Sequence, residues 1–547
     1  MLKKLAVLSF IVVGMMAFGD DNDTFNVKLE ESVVTATGFD DVQSNQIKNT
    51  TIVTAQDIHN KGYNTIEEIL KRTPGINFVN NGFGYIVDVR GQGVQGAAKN
   101  VKVLVDGSPL NILDMSHAIL PLNSISVEDI EKIEIINGGG TVLYGGGTAG
   151  GVINVITKKT QEEPVKNKVY YQNSSFDTNK FGFGTSIKFA DNFLLDLGYE
   201  NTNGKGYRKG EKESYDYLKG GLKYNITDNH SLKFKAARYN SDETFAGALT
   251  EAQLLNDRKQ SGDLSHMEVE RKEYSLGYDA KITDAFRLSL LGYRQNTDKL
   301  SPGTPTTLFK DTKKGINFKG NYELENGNIV FGYNYIDHEG SRRQTIFGTP
   351  IISVDLSKKT NSFYLLGRHK IVDKLEGTAG YRYERAEYET NRKVPASVMR
   401  VPGVPLPVRI PARETVGTKK ESNSAYELGL NYKYSDTGNV YVKYERGFRS
   451  PAATEFVDYA PGARTYTLNN IKTEKFDTYE VGFKDMLWNS FVSATAFYTK
   501  TDNEIYLNMD HGVTSGPATA RWTFHNLKQT ERAGIELFAE QYFGKLR

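Results

Sequence analysis

Residues 181–200 read FGFGTSIKFADNFLLDLGYE. Successive side chains of an extended strand point to opposite sides, so Phe181, Phe183, Thr185, Ile187 and Phe189 share one face. Gly182, Gly184, Ser186 and Lys188 share the other. Ala190, Asp191 and Asn192 supply a tight turn, and FLLDLGYE returns. The same grammar recurs in YSLGYDAKI-TDA-FRLSLLGYR (274–294) and in NFKGNYEL-ENGN-IVFGYNYI (317–336), where Ile329, Phe331, Tyr333 and Tyr335 align. Each run spans about nine to eleven residues, the length a tilted strand needs to cross a bilayer. Tight turns alternate with long polar stretches at 201–214, 239–273 and 392–414. Short connections on one side and long ones on the other are the asymmetry of an outer-membrane barrel, not of a soluble sandwich.

Composition agrees. Lys+Arg 68 against Asp+Glu 66 leaves no basic excess for a nucleic-acid binder. A mean hydropathy of −0.49, with no long apolar run in the body, excludes a helical membrane protein but not a barrel, whose alternation averages out. The N-terminus has the plan of a signal peptide: MLKK, then the apolar LAVLSFIVVGMMAF, then a small-x-small site at Ala17-Phe18-Gly19. Its removal takes away Lys3 and Lys4. The chain has Cys 0, so export brings neither disulfides nor thiol chemistry.

Residues 45–160 follow another grammar, that of a compact α+β unit. A helix is expected from about Asn64 to Arg72, stopped by Thr73-Pro74-Gly75. Strands are expected in VKVLVDGSPLN, after SVED and in GGVINVITKK. Inside this unit YIVDVR leads into Gly91-x-Gly93-x-x-Gly96, the spacing of a dinucleotide fingerprint. That motif needs a helix directly after its glycines, and only Ala97 to Asn100 separate Gly96 from the next strand. No crossover helix is expected there, and the glycines are read as shaping a turn. The second glycine-rich run, Gly138 to Gly151, lacks the Gly-Lys-Ser/Thr ending of a phosphate loop.

Several segments, in order, carry a resemblance. They are ESVVTATG (31–38), EILKRTPGI (68–76), VDVRGQG (87–93), VKVLVDGSPLN (101–111), IEKIEIINGGGTVLYGGGTAGGVINVITKK (130–159), GFRSPAATEF (447–456), IKTEKFDTYEVGFK (471–484) and NLKQTERAGIELFAE (526–540). Together they resemble the TonB-dependent outer-membrane receptors over 31–547. The resemblance implies an all-β membrane fold, a large antiparallel β-barrel of about 22 strands when complete, with an N-terminal α+β plug in its lumen. It divides the chain into a signal peptide (1–19), a periplasmic segment (20–44), the plug (45–160) and the barrel (161–547). Only some 16–18 strand-like segments are visible and the chain ends AEQYFGKLR, so a C-terminally truncated barrel with an open edge is expected.

The function implied is energised import of a scarce iron chelate, most often a ferric siderophore, with the inner-membrane protein TonB as partner and outer-membrane lipid around the barrel. No enzyme activity, resident cofactor, metal site or nucleic-acid partner is expected. Glu31, Ser32, Val33, Val34, Thr35, Ala36 and Thr37 resemble the TonB box, an extended segment that adds a strand to its partner. Ligand contacts are expected at plug tips, from Asn80, Asn81, Phe83, Tyr85, Met115 and His117. On barrel loops Arg392, Arg400, Arg409, Arg413, Tyr459 and Arg464 are the candidates, cations and aromatics suited to an anionic chelate. By family match Arg90 pairs with one of Glu427, Glu480 or Glu536 to hold the plug. The family's second arginine is absent, because Asn137-Gly138-Gly139 stands where Arg-Gly-Pro is usual. Haem is the alternative cargo, with Tyr459 or His117 as iron ligand; cobalamin, other metal chelates and glycans stay open.

Overall fold

The computed structural model describes residues 32–33, 41–42, 47–80, 85–114, 120–158, 164–399, 408–461, 464–487, 490–510 and 520–541. Its N-terminal unit is built on a five-stranded sheet in the order Thr50–Thr54, Ile130–Asn137, Gly151–Thr157, Val101–Val105, Ser108–Pro109. Only the pairing of Val101–Val105 with Gly151–Thr157 is parallel. Alternation in IEKIEII and GVINVIT puts Ile133, Ile135, Ile153 and Val155 into one core, closed by Ile66, Ile69 and Leu70 of the helix Ile66–Lys71. Thr65 caps that helix by accepting from the Glu68 amide, and Thr54 with Asp57 forms a capping box on Ala55–Asn60. Each cap is worth about 1 kcal/mol.

Around this unit, eighteen strands from Val165–Ser174 to Arg521–Gln541 form one antiparallel sheet in chain order. Two of them, Val457–Ala460 and Thr465–Leu468, make a hairpin outside the wall, since Asn439–Arg449 pairs directly with Glu474–Leu487. Among the described residues the first and last strands of the sheet are not paired with each other. Large apolar side chains cover the outer face: Leu428 and Val481 are each 55 % exposed, in a position only lipid can cover. Their neighbours Glu427 and Glu480 are buried against the inner unit.

The strands are longer than expected. Thr349–Val372 has 24 residues, and His230–Ala246 with Leu264–Lys281 consumes most of the stretch expected as loop 239–273, leaving 247–263 with the helix Glu251–Asn256. The stretch 392–414 likewise contains strand ends and a small hairpin, Ser397–Met399 with Val408–Ile410. At about 3.3 Å per residue such strands extend well beyond a bilayer. Where both faces of a strand meet water, the apolar alternation that marks a strand disappears, so these extensions read as loops.

Replacing the outward-facing Val481 by Arg is expected to cost about 2–4 kcal/mol in equilibrium refolding into lipid vesicles. The same change at Leu468, on the outer hairpin, should shift the midpoint by no more than about 0.5 kcal/mol.

Candidate functional site at the plug–barrel interface

The glycine motif lies where the inner unit meets the wall. Strand Tyr85–Val89 ends at Arg90 and Gly91, both with positive φ (56° and 65°). A helix, Gly93–Asn100, does follow, contrary to expectation. It fits because it begins at the second glycine and contains the third, so Gly96 is helical and shapes no turn. A nucleotide fingerprint is still not formed. The strand pairs antiparallel with Ile76–Asn80, and the Asp88 carboxylate accepts from the amides of Gln92 (2.7 Å) and Gly93 (3.1 Å), where a phosphate would sit.

The turn delivers Arg90 into a buried charge cluster. Its Nε and Nη2 donate to the two oxygens of Glu536, each at 2.9 Å, and Nη1 donates to Glu480 at 2.5 Å. The guanidinium lies 4.1 Å from the ring centre of Phe497. Burial alone would lower the pKa of Arg90, but Glu480 and Glu536 outweigh it and hold the value above that of a free arginine. Glu427, the third candidate partner, takes Lys48 instead, at 2.9 Å. Lys443 stands 3.4 Å from both Glu445 and Glu480, and Glu445 accepts from the amides of Gly140 and Thr141, each at 2.9 Å.

This cluster accounts for the glycines at 138 and 139. A Cβ on Gly138 would lie 1.9 Å from Arg90 Nη1, and one on Gly139 would lie 2.0 Å from Glu445 Oε2. Lys48 and Lys443 supply the cluster's remaining cations. Sequence reading passed over Lys48, Asn49, Lys443 and Glu445. One signal was available: in NVYVKYERGF the alternation turns Val440, Val442 and Tyr444 outward, which sends Tyr441, Lys443 and Glu445 into the lumen.

A second cluster explains GFRSPAATEF. Arg449 bridges Glu455 (2.8 Å) and Glu474 (2.6 Å), and Lys99 of the inner unit reaches Glu455 at 2.6 Å. Burial would raise the Glu455 carboxyl, but Arg449 and Lys99 bring it down to about 2.

The other candidates are dispersed. Ser32–Val33 pairs antiparallel with Asp41–Val42; Glu31, Val34, Thr35, Ala36 and Thr37 lie outside the described residues, as do Asn81, Phe83, Met115, His117 and Arg400. Asn80 and Tyr85 are the facing ends of a two-stranded hairpin. Arg392 is not a free loop cation. It is 4 % exposed at the end of strand Leu375–Val394, donates to the Thr454 carbonyl at 3.2 Å, and lies 5.1 Å from the Tyr466 ring. The extension of its strand past the membrane carries it under the outer hairpin. Tyr459 stacks on Tyr466 at 4.6 Å and meets Trp522 at 5.6 Å, while Arg464 sits half-buried at the hairpin turn. Arg409 and Arg413 are exposed.

Comparison with known proteins places this arrangement. Residues 236–546 match the family described as TonB dependent receptor-like, beta-barrel, and residues 42–152 match the TonB-dependent Receptor Plug Domain. Among solved structures, the alcaligin outer-membrane receptor FauA from Bordetella pertussis superposes with a TM-score of 0.72 at 17 % identity, covering 97 % of this chain and 83 % of that one. The ferric yersiniabactin uptake receptor FyuA from Yersinia pestis gives 0.71 at 17 %, covering 91 % and 77 %. The ferric-catecholate import receptor Fiu from E. coli K12, in its closed form, gives 0.72 at 14 %, covering 94 % and 80 %. At these identities the likeness is one of fold.

Arg90→Met strands two carboxylates in the interface and is expected to destabilise the inner unit by about 3–5 kcal/mol, read as faster hydrogen exchange of its amides. Adding Glu480→Gln and Glu536→Gln should restore part of the loss. Unchanged exchange in Arg90→Met would show that the cluster does not hold the two units together.

Proposed function

This chain belongs to the TonB-dependent receptor family, and on that premise we propose that it imports a ferric siderophore across the outer membrane of a Gram-negative-type bacterium, with TonB supplying the energy. The observation that carries this reading is a folded plug seated inside the barrel and fastened there by buried ion pairs together with apolar contacts of Leu113, Val142 and Leu143 on the wall. A passive pore has no use for such a stopper, and an energised receptor needs one that can be released. The structures it resembles include receptors named for alcaligin, ferric yersiniabactin and ferric catecholates, which supports an iron chelate as cargo.

In this reading residues 31–37 add a strand to TonB through main-chain hydrogen bonds. A pull on that segment reaches Lys48 and Asn49 first. Lys48 binds Glu427, and Asn49 donates to Glu536 at 2.7 Å, the carboxylate that also holds Arg90. Force on the N-terminal segment therefore arrives at the principal charge cluster within a few residues.

The test is uptake of radiolabelled iron by iron-starved cells offered a panel of ferric siderophores and haemin. Wild type should accumulate iron from one siderophore. Val34→Pro should bind the same chelate yet fail to import it, because proline removes a ladder donor. Normal uptake by Val34→Pro would refute the TonB-box assignment, and uptake from haemin alone would replace the siderophore with haem.

A further inference from the structure

Between plug and barrel lies a cavity of about 170 Å³. The plug contributes Lys99, Lys102 and the segment 109–113; the barrel contributes Lys313, His338, Lys358, Glu384 and Arg449. The carboxylates in and around it are already engaged. Glu455 holds Lys99 and Arg449, Glu474 holds Arg449, Glu384 holds Arg382 at 3.0 Å, and Asp311 holds His338 at 2.8 Å.

Lys102, Lys313 and Lys358 remain. Lys102 donates to the Tyr144 carbonyl at 2.5 Å, Lys313 to the carbonyls of Pro109 and Asn111, each at 2.7 Å, and Lys358 lies 5.1 Å from the Tyr388 ring centre. None of the three forms an ion pair with a carboxylate among the described residues. Lys313 is buried and Lys102 and Lys358 are half-buried, and a concentration of such cations is relieved when an anion joins it. The burial is strong enough to push Lys102 down to about 7, despite help from Glu384.

We propose that this cavity binds a small oxyanion, a phosphate or a carboxylate group, which bridges Lys102 of the plug to Lys313 and Lys358 of the barrel. Size supports the class. The volume equals the share of about five or six waters at roughly 30 Å³ each, enough for an oxyanion and some hydration. It is smaller than the roughly 300–1,000 Å³ typical of a drug-sized ligand's pocket, which favours a small anion. Three ammonium groups supply short charge-assisted hydrogen bonds. Because the anion touches both units, its binding fastens the plug.

The site does not depend on the cargo proposed above, since it is read without iron. The full chain in detergent, exchanged into chloride buffer, is titrated with inorganic phosphate and separately with citrate at constant ionic strength. Thermal unfolding and the ³¹P resonance are followed. Wild type should show a saturable rise in Tm with at least one of the two anions, accompanied, where that anion is phosphate, by a broadened ³¹P signal. Lys358→Met and Lys313→Met should each weaken half-saturation about tenfold or more, the loss of one charged hydrogen bond. Lys235→Met, whose partner Asp106 lies at a different part of the interface, should titrate like wild type. A Tm unmoved by either anion overturns the proposal. So does a rise that persists undiminished in the Lys313→Met/Lys358→Met double variant. A response to phosphate assigns the free ion as occupant, and a response to citrate alone assigns a carboxylate group.

Discussion

A guanidinium shut away from water must find its full set of acceptors, and Arg90 finds them only on the barrel. Its fork closes on Glu536 and its remaining nitrogen on Glu480, on the two strands that flank Ser490–Asp510 in the wall. Among the described residues nothing within the plug satisfies that charge. The positive φ of Arg90, the bare backbones of Gly138 and Gly139, and the inward parity of Glu480 and Glu536 all serve this one requirement. The two units are thus conditional on each other: the plug with its arginine unpaired, or the wall with its carboxylates unpaired, carries an uncompensated buried charge.

The same physics makes the join reversible. An intact buried ion pair costs several kcal/mol to break on one side, yet its net worth is small, because both ions regain hydration when water enters. An apolar interface of similar area would have to be exposed outright. Fastening by charge therefore suits a stopper that stays shut under thermal motion and yields when water is let in. Other contacts differ in strength: Lys99 with Glu455 is buried, and Val142 and Leu143 pack on apolar side chains of the wall. Lys235 with Asp106 and Lys219 with Asp129 are partly hydrated, and pairs of that kind contribute at most about 1 kcal/mol. The Arg90 charge cluster lies beside Lys48 and Asn49, at the N-terminal entry to the plug.

The outer surface follows from a different constraint, that lipid cannot accept a backbone hydrogen bond. Every wall strand between the two edges pairs on both sides, and large apolar side chains cover its outward face. Beyond the bilayer that demand ends. The strands continue with polar residues on both faces, and side chains such as Arg392 serve to seat the outer hairpin.

The alternation of residues 181–200, its repeats and the caps Thr54 and Thr65 act over a few neighbours, so barrel and plug were both legible from local order. Arg90, Glu480 and Glu536 were visible as candidates through motif resemblance. Local order could not say that Glu427 would choose Lys48, that Lys443 and Glu445 would complete the cluster, or that Arg392 would be buried. It also misjudged the helix after Gly93, because a helix that starts inside the motif needs no further residues. Partner choice among buried charges depends on which strands become neighbours and at what height. Positions such as 90, 445 and 536, hundreds of residues apart, acquire that relation only when the sheet curls around the plug.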